Sequence, residues 1–392
     1  MLNTIVVTTN LPLGFSSFVT NVGVKDSTKD FTVVMADGPC AASGVFTQSR
    51  FAGPSVVISR RHVENLSARA VVVISKNANV ATGPEGIAHA EEVAASVAAK
   101  LGIDTSDVLI ASTGVIGRQY PIDNIRAGIS GLPFPLPDND ADDVARGIMT
   151  TDTVHKISSA TVPGSEARIV GVAKGVGMIE PNMATLIAMI FTDADIAPKD
   201  LNTIFRGVIN QTLNCVSVDT DTSTSDTAII LASGKAGPVD SDAFTQALHS
   251  VLLDLTKAIA RDGEGAETFI EVVVDAARNA EQAKTVAKSI VNSPLVKTAV
   301  HGADPNWGRV AMAVGKCSQY TDIDQEKVVI RFGTQEVYPT QVTEAGLEKL
   351  SQYMRGADVT IHVSLATGTS SATVWGCDLT DGYVRINADY TT

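Results

Sequence analysis

KGVGMIEPNMATLIAMIFTDA, residues 174–194, changes character at its middle. Glycines and a proline break up its first half, and TLIAMIF then runs apolar without alternation, as a strand buried on both faces does. Ala184-Thr185 therefore stands at the head of a buried strand. A hydroxyl residue after a small one, at such a junction, is where a chain can cleave itself and expose a Thr whose own α-amine serves as base. The competing reading is an ordinary strand start with a satisfied threonine hydroxyl.

Outward from this point, RAVVVIS (69–75) and DVLIAST (106–112) read as buried strands. Between them Ile87, Ala90, Val93, Ala94, Val97 and Leu101 recur at helical spacing. GLPFPLPDNDADD (131–143) is proline-rich and acidic and reads as a surface loop. After TLIAMIF comes an amphipathic helix through Leu201, Phe205, Val208, Ile209 and Leu213, and then a strand at 227–233. A second helix carries Phe244, Leu248, Val251, Leu252, Leu255 and Ile259 and ends near Gly263. Further strands are expected at 269–274, 327–332, 359–365 and 373–379. Periodicity establishes a mixed α/β chain, and two stacked sheets with helices on both outer sides would use all of these elements.

The chain has 392 residues, 44% of them hydrophobic, enough for a sizeable core in one large domain or two. No Lys or Arg precedes Lys25, unlike a basic secretory leader, and no apolar run approaches the roughly 18–20 residues of a membrane span, so a cytoplasmic protein is expected. Cys40, Cys215, Cys317 and Cys377 are too far apart for a CxxC pair and read as isolated buried thiols. The net charge of −13 without a basic block argues against nucleic acid as a partner. Residues 1–184 hold 14 basic and 17 acidic side chains, and residues 185–392 hold 16 and 26. Both pieces are acidic, so packing rather than charge must hold them together. An anionic ligand would be repelled by the whole and needs a local cation, for which Lys174 is a candidate.

Six strings in order along nearly the whole chain carry a resemblance: NANVATG (77–83), ASTGVIG (111–117), MTTDT (149–153), DGEGA (262–266), NSPLVKTAVHGADPNWGR (292–309) and NADYTT (387–392), besides KGVGMIEPNMAT itself. Together they resemble the ornithine acetyltransferase (glutamate N-acetyltransferase) family. RFAGPSVV (50–57) and VSVDTDTSTSDT (216–227) are most similar to the type associated with clavulanic acid gene clusters. Arginine-pathway members usually carry Gly where this chain has Thr220 and Asn where it has Ser225.

The resemblance implies an N-terminal-nucleophile-like α/β/β/α sandwich, like that of aminopeptidases of this type. It also implies cleavage between Ala184 and Thr185 into an alpha chain (1–184) and a beta chain (185–392), with a dimer of the cleaved pair. Structurally, a central sandwich (1–275) and a C-terminal α+β domain (276–392) are expected. The implied reaction moves acetyl from N2-acetyl-L-ornithine to L-glutamate through an acetyl-threonine on Thr185. Thr113 and Gly114 would form the oxyanion hole, and Thr151, Lys174, Glu264, Asn387 and Thr392, with Thr185, would bind substrate. The Thr150-Thr151 pair is ambiguous by one position.

The chemistry is consistent with these residue types. An α-amine with an unperturbed pKa of roughly 7.7–8.0 is close enough to neutrality to accept the hydroxyl proton. An oxyanion donor is worth roughly 10² to 10³ in rate. Lys174 could pair with an α-carboxylate, Glu264 with an amine, and Asn387 with polar groups. No cofactor or metal is expected. DTDTSTSDT puts Asp219, Asp221 and Ser223 at calcium-loop spacing but lacks the Gly and Glu that such a loop needs, and reads as a polar turn. The six histidines form no HExxH pair, and KGVGM is not a phosphate loop. An amidase or aminopeptidase with the same nucleophile and water as acceptor is the alternative enzyme. A noncatalytic binding protein would require loss of Thr185 or its hole.

Overall fold

The computed structural model describes residues 10–25, 27–180 and 186–389. Ala184, Thr185 and Thr392 lie outside the described residues. The first six strands are β1 (Phe15–Thr20), β2 (Phe31–Phe46), β3 (Ser67–Ile74), β4 (Val108–Ser112), β5 (Lys156–Thr161) and β6 (Arg168–Lys174). They are followed by β7 (Ile187–Asp195), β8 (Thr227–Pro238), β9 (Phe269–Ala277), β10 (Val329–Phe332), β11 (Gln335–Tyr338), β12 (Asp358–Ser364) and β13 (Ser370–Cys377).

Strands β1 to β8 form one hydrogen-bonded sheet, in the order β4-β3-β2-β8-β7-β6-β5 with β1 added to β2. The sheet folds over itself along β2. That strand pairs with β1 and β3 over its first half, slips register between Met35 and Cys40, and pairs with β8 from Ala41 to Phe46. ADGPC, which hid this strand from a periodicity reading, is where the register slips.

Side-chain alternation then separates the layers. Val34, Val71, Val73 and Leu109 point inward to meet Val170, Val172, Ile187, Met189, Phe191, Ile229 and Leu231 in one inter-sheet core. Phe15 and Phe191 touch across it with ring centroids 5.2 Å apart. The opposite faces of β2, β3 and β4 pack Val33, Val72, Ile74, Val108 and Ile110 against the helices Gly83–Leu101 and Ile122–Ser130. The opposite faces of β6, β7 and β8 pack Ile169, Ala188, Ile190, Ala228 and Ile230 against the helices Pro198–Gln211 and Ser241–Arg261. These are the four layers of an α/β/β/α sandwich. The absence of alternation in TLIAMIF follows directly, since β7 is covered on both sides.

The helix Ser241–Arg261 shows how local sequence fixes its element. The Asp240 carboxylate accepts the Asp242 and Ala243 N–H groups at 3.1 and 2.9 Å, and Arg261 lies in the last turn, where a cation opposes the dipole. In 131–143 the surface-loop expectation holds only to Asp140, which caps a short helix, Ala141–Gly147, whose Ala141, Val144 and Ala145 enter the inter-sheet core.

A second sheet, β11-β10-β12-β9-β13, carries the rest of the chain. β9 pairs with β12 and β13 rather than with any sandwich strand, although its residues 269–275 precede the expected division at 275/276. The helix Ala280–Val291 covers one face of this sheet. Toward the other, Lys257 of the long helix pairs with Glu271 at 3.5 Å, and the Trp375 indole donates to the same carboxylate at 2.8 Å. All four cysteines are free and buried, and burial pushes the Cys40 thiol up to about 12.

Replacing Phe191 by Ala empties the centre of the inter-sheet core. The expected cost is about 3–5 kcal/mol in urea unfolding, and a change below about 1 kcal/mol would contradict this packing.

Candidate active site

Six separate segments converge on one cleft. β4 ends at Ser112 and delivers Thr113 and Gly114, β6 ends at Lys174, and the loop before β5 brings Thr150 and Thr151. The turn after the long helix brings Glu264, and the C-terminal helix Asp381–Asp389 brings Asn387. Together with Gly177, Met178, Thr224 and Ser225 they line a cavity of about 110 Å³. Every described residue expected to contact substrate or hold an oxyanion is therefore present in a single place.

Within the cleft the polar groups are organised around Glu264. Its Oε1 accepts the Thr151 hydroxyl at 3.2 Å, and its Oε2 accepts the Asn387 amide at 2.9 Å. Lys174 Nζ donates to the Thr150 hydroxyl at 3.2 Å. Thr150 and Thr151 both belong to the site, one beside the cation and one beside the carboxylate. Two glycines make this possible. A Cβ on Gly177 would lie 2.4 Å from Glu264 Oε2. Gly114, at φ +128°, runs so close to strand-end backbone that a Cβ would sit 2.2 Å from the Lys76 carbonyl carbon.

Beneath the cleft lies a buried ion network that the sequence reading did not find. Lys156 is 2% exposed, and its ammonium donates to Asp152 at 2.8 Å, Asp262 at 2.5 Å and the Val154 carbonyl at 3.4 Å. Asp152 also accepts the N–H of Gly175 at 2.7 Å and of Thr150 at 3.0 Å, while Asp262 accepts the Thr153 N–H at 3.2 Å and its hydroxyl. One cation thus ties together the loops bearing Thr150, Lys174 and Glu264. Burial alone would raise the Asp152 carboxyl; Lys174 and Lys156 overcome it and hold the group below its usual range.

The approach to residue 181 is clamped as well. Asp219 accepts the N–H groups of Met178 and Ile179 at 2.6 and 2.7 Å, and Glu180 pairs with Lys288 at 2.9 Å. Asp219 therefore works as a backbone clamp in the polar turn that had calcium-loop spacing. On the far side, the Leu186 carbonyl accepts the Thr227 N–H at 2.9 Å. Near this junction Asp226 is buried, and among the described residues neither of its carboxyl oxygens has a partner at good hydrogen-bond geometry. Burial pushes it well above the carboxylate range, against the pull of Lys174. Burial in turn lowers Lys174, while Asp152, Asp226 and Glu264 hold it up. His301 stands outside the cleft, its Nδ1 3.1 Å from Asp378.

The model of the ArgJ family matches residues 16–392. The chain belongs to the ArgJ family. Among its relatives, "Arginine biosynthesis bifunctional protein ArgJ 2" of Nostoc sp. is 58% identical over 381 residues, covering 97% of this chain and 98% of the relative. "Glutamate N-acetyltransferase Oat2" of Streptomyces clavuligerus is 53% identical over 391 residues, covering 98% and 99%. A crystal structure of an ArgJ protein from Bacillus halodurans is 42% identical, covers 52% of this chain and 98% of that one, and has a TM-score of 0.49. The likeness of this ArgJ chain is no stronger to the Streptomyces enzyme than to the Nostoc one. Of the two departures from the arginine-pathway pattern, Thr220 has φ +69°, a conformation that glycine adopts without strain, and Ser225 lines the cleft.

Lys156→Met leaves Asp152 and Asp262 buried without their cation, for an expected loss of about 3–5 kcal/mol at neutral pH. Protonating a stranded carboxylate relieves the penalty, so the gap from the parent chain should narrow as pH falls. Urea unfolding at pH 7 and pH 5 measures both, and a deficit that widens on acidification would refute the network's role.

Proposed function

We propose that this ArgJ chain is a self-processing acetyltransferase that moves acetyl from N2-acetyl-L-ornithine to L-glutamate, giving L-ornithine and N-acetyl-L-glutamate. The observation carrying this reading is the convergence of Thr113, Gly114, Thr151, Lys174, Glu264 and Asn387 on one cleft, whose floor includes the segment leading into residue 181. Family membership and 53% identity over nearly the full length of a glutamate N-acetyltransferase support the same reaction.

In maturation, the Thr185 hydroxyl attacks the Ala184 carbonyl, the peptide nitrogen leaves as the new α-amine, and the resulting ester is hydrolysed to free residues 1–184. In turnover, the same hydroxyl gives its proton to that amine and attacks the acetyl carbonyl of the donor. The oxyanion is received by the Thr113 hydroxyl and Gly114 N–H, and collapse expels the ornithine amine with a proton. Glutamate then attacks the acetyl ester and restores the hydroxyl. Lys174 receives the α-carboxylate common to donor and acceptor, and Glu264, held by Thr151 and Asn387, faces the donor's side-chain ammonium. Thr392 joins the substrate site from the C-terminal end. The reaction needs no cofactor.

The strand order supports a stable product of cleavage. β7 and β8 of the second fragment lie between β2 and β6 of the first, so separation would tear ladders on both sides. The two fragments should co-elute in native buffer, as a dimer of the pair, and part only in denaturant; spontaneous separation would contradict this arrangement.

Donor supplied without glutamate should leave one acetyl group on the fragment beginning at Thr185, seen by rapid-quench mass spectrometry. Ornithine release should rise steeply when glutamate is added. Release at the same rate without glutamate would identify water as the acceptor and the protein as an amidase.

Lys174 supplies a pH signature. Its lowered pKa means that the ammonium is lost, and with it carboxylate binding, at a pH below the 10.5 of an ordinary lysine. kcat/KM should fall on that alkaline limb, and Lys174→Arg, whose guanidinium stays charged to about pH 12, should remove the fall while lowering the plateau. An unchanged limb in the variant would show that Lys174 does not carry it.

A further inference from the structure

A second cavity, of about 670 Å³, opens between the helices Ala280–Val291 and Pro294–His301 and the turn at 218–220. Its charged lining is Lys288, Lys297 and Lys316 against one carboxylate, Asp219, in a chain whose net charge is −13. Lys288 is answered by Glu180. The oxygens of Asp219 are occupied by the Met178 and Ile179 N–H groups and the Tyr383 hydroxyl, which donates at 3.3 Å.

Lys297 is different. It is 4% exposed, its ammonium donates to the Cys377 carbonyl, and no carboxylate among the described residues lies within ion-pair distance. A buried ammonium answered only by a neutral carbonyl is costly unless a counter-ion completes it. Lys316, on the exposed rim, has no ion pair among the described residues either. The lining also includes Thr220, a β-branched residue held in the left-handed region at φ +69°. Such strain persists where a site requires it.

We propose that this cavity binds a small, multiply charged oxyanion, of the phosphate-ester or polycarboxylate class, seated between the ammonium groups of Lys297 and Lys316. Two lysine point charges, the hydroxyl groups of Thr285 and Ser289 in the same lining and a volume in the small-molecule range suit that chemistry. The site lies against the catalytic cleft. Asp219 clamps the backbone leading to residue 181, and the Tyr383 carbonyl accepts the Asn387 amide at 3.0 Å, so an occupant here touches the supports of both.

Titration calorimetry on the processed enzyme with inorganic phosphate and, separately, citrate tests the proposal. At least one should bind one-to-one, more weakly in added salt, and the tighter of the two assigns the class. Lys316→Gln, a surface change, should weaken binding about tenfold, as loss of one charge-assisted contact does, with kcat unchanged; Lys297→Met should do the same or more. No binding of either probe, or unchanged affinity in Lys316→Gln because the anion sits in the catalytic cleft, would overturn it.

Discussion

The Lys156 ammonium, without solvent contact and enclosed by Asp152 and Asp262, is the interaction on which the geometry of the cleft depends. A buried pair of carboxylates cannot stay charged without a cation between them, and these two also hold the backbone N–H groups of Thr150, Gly175 and Thr153. Three loops far apart in sequence are thereby fixed to one point. Lys174, Thr151 and Glu264 thus stand in set positions, so that under the proposed function binding energy would reach the reacting atoms instead of ordering loops.

The sandwich supplies the second constraint. Because β7 is buried on both faces and lies between β6 and β8, its start at Ile187 is fixed in direction by the ladders on each side. The Asp219 clamp and the Glu180–Lys288 pair fix the preceding turn. The described chain is thus held independently on each side of residues 181–185.

Much of this was legible in the sequence, for physical reasons that differ by element. β7, β8 and the helix Ser241–Arg261 announce themselves because burial on both faces or on one stripe leaves a simple pattern. β2 does not, because a register slip at its centre inserts Gly and Pro into a strand of 16 residues. The helix Ala141–Gly147 was hidden behind the prolines that precede it. Among the candidate residues, Glu264 and Asn387 were found through the resemblance and Lys174 also as the cation an anionic ligand needs, whereas Lys156, in KISSAT, belongs to no motif that would mark it. Only three-dimensional packing reveals that its partners are Asp152 and Asp262. Asp226 was equally silent, since burial of a carboxylate leaves no trace in composition.

The central claim is that the working enzyme is two polypeptides, the second starting at Thr185. Intact mass measurement under denaturing conditions, with N-terminal sequencing of each species in a fully active preparation, tests it most directly. The account predicts two masses that sum to the 40.9 kDa chain plus one water, with Thr-Leu-Ile at the start of the second. A single uncleaved chain that turns over at full rate would contradict it.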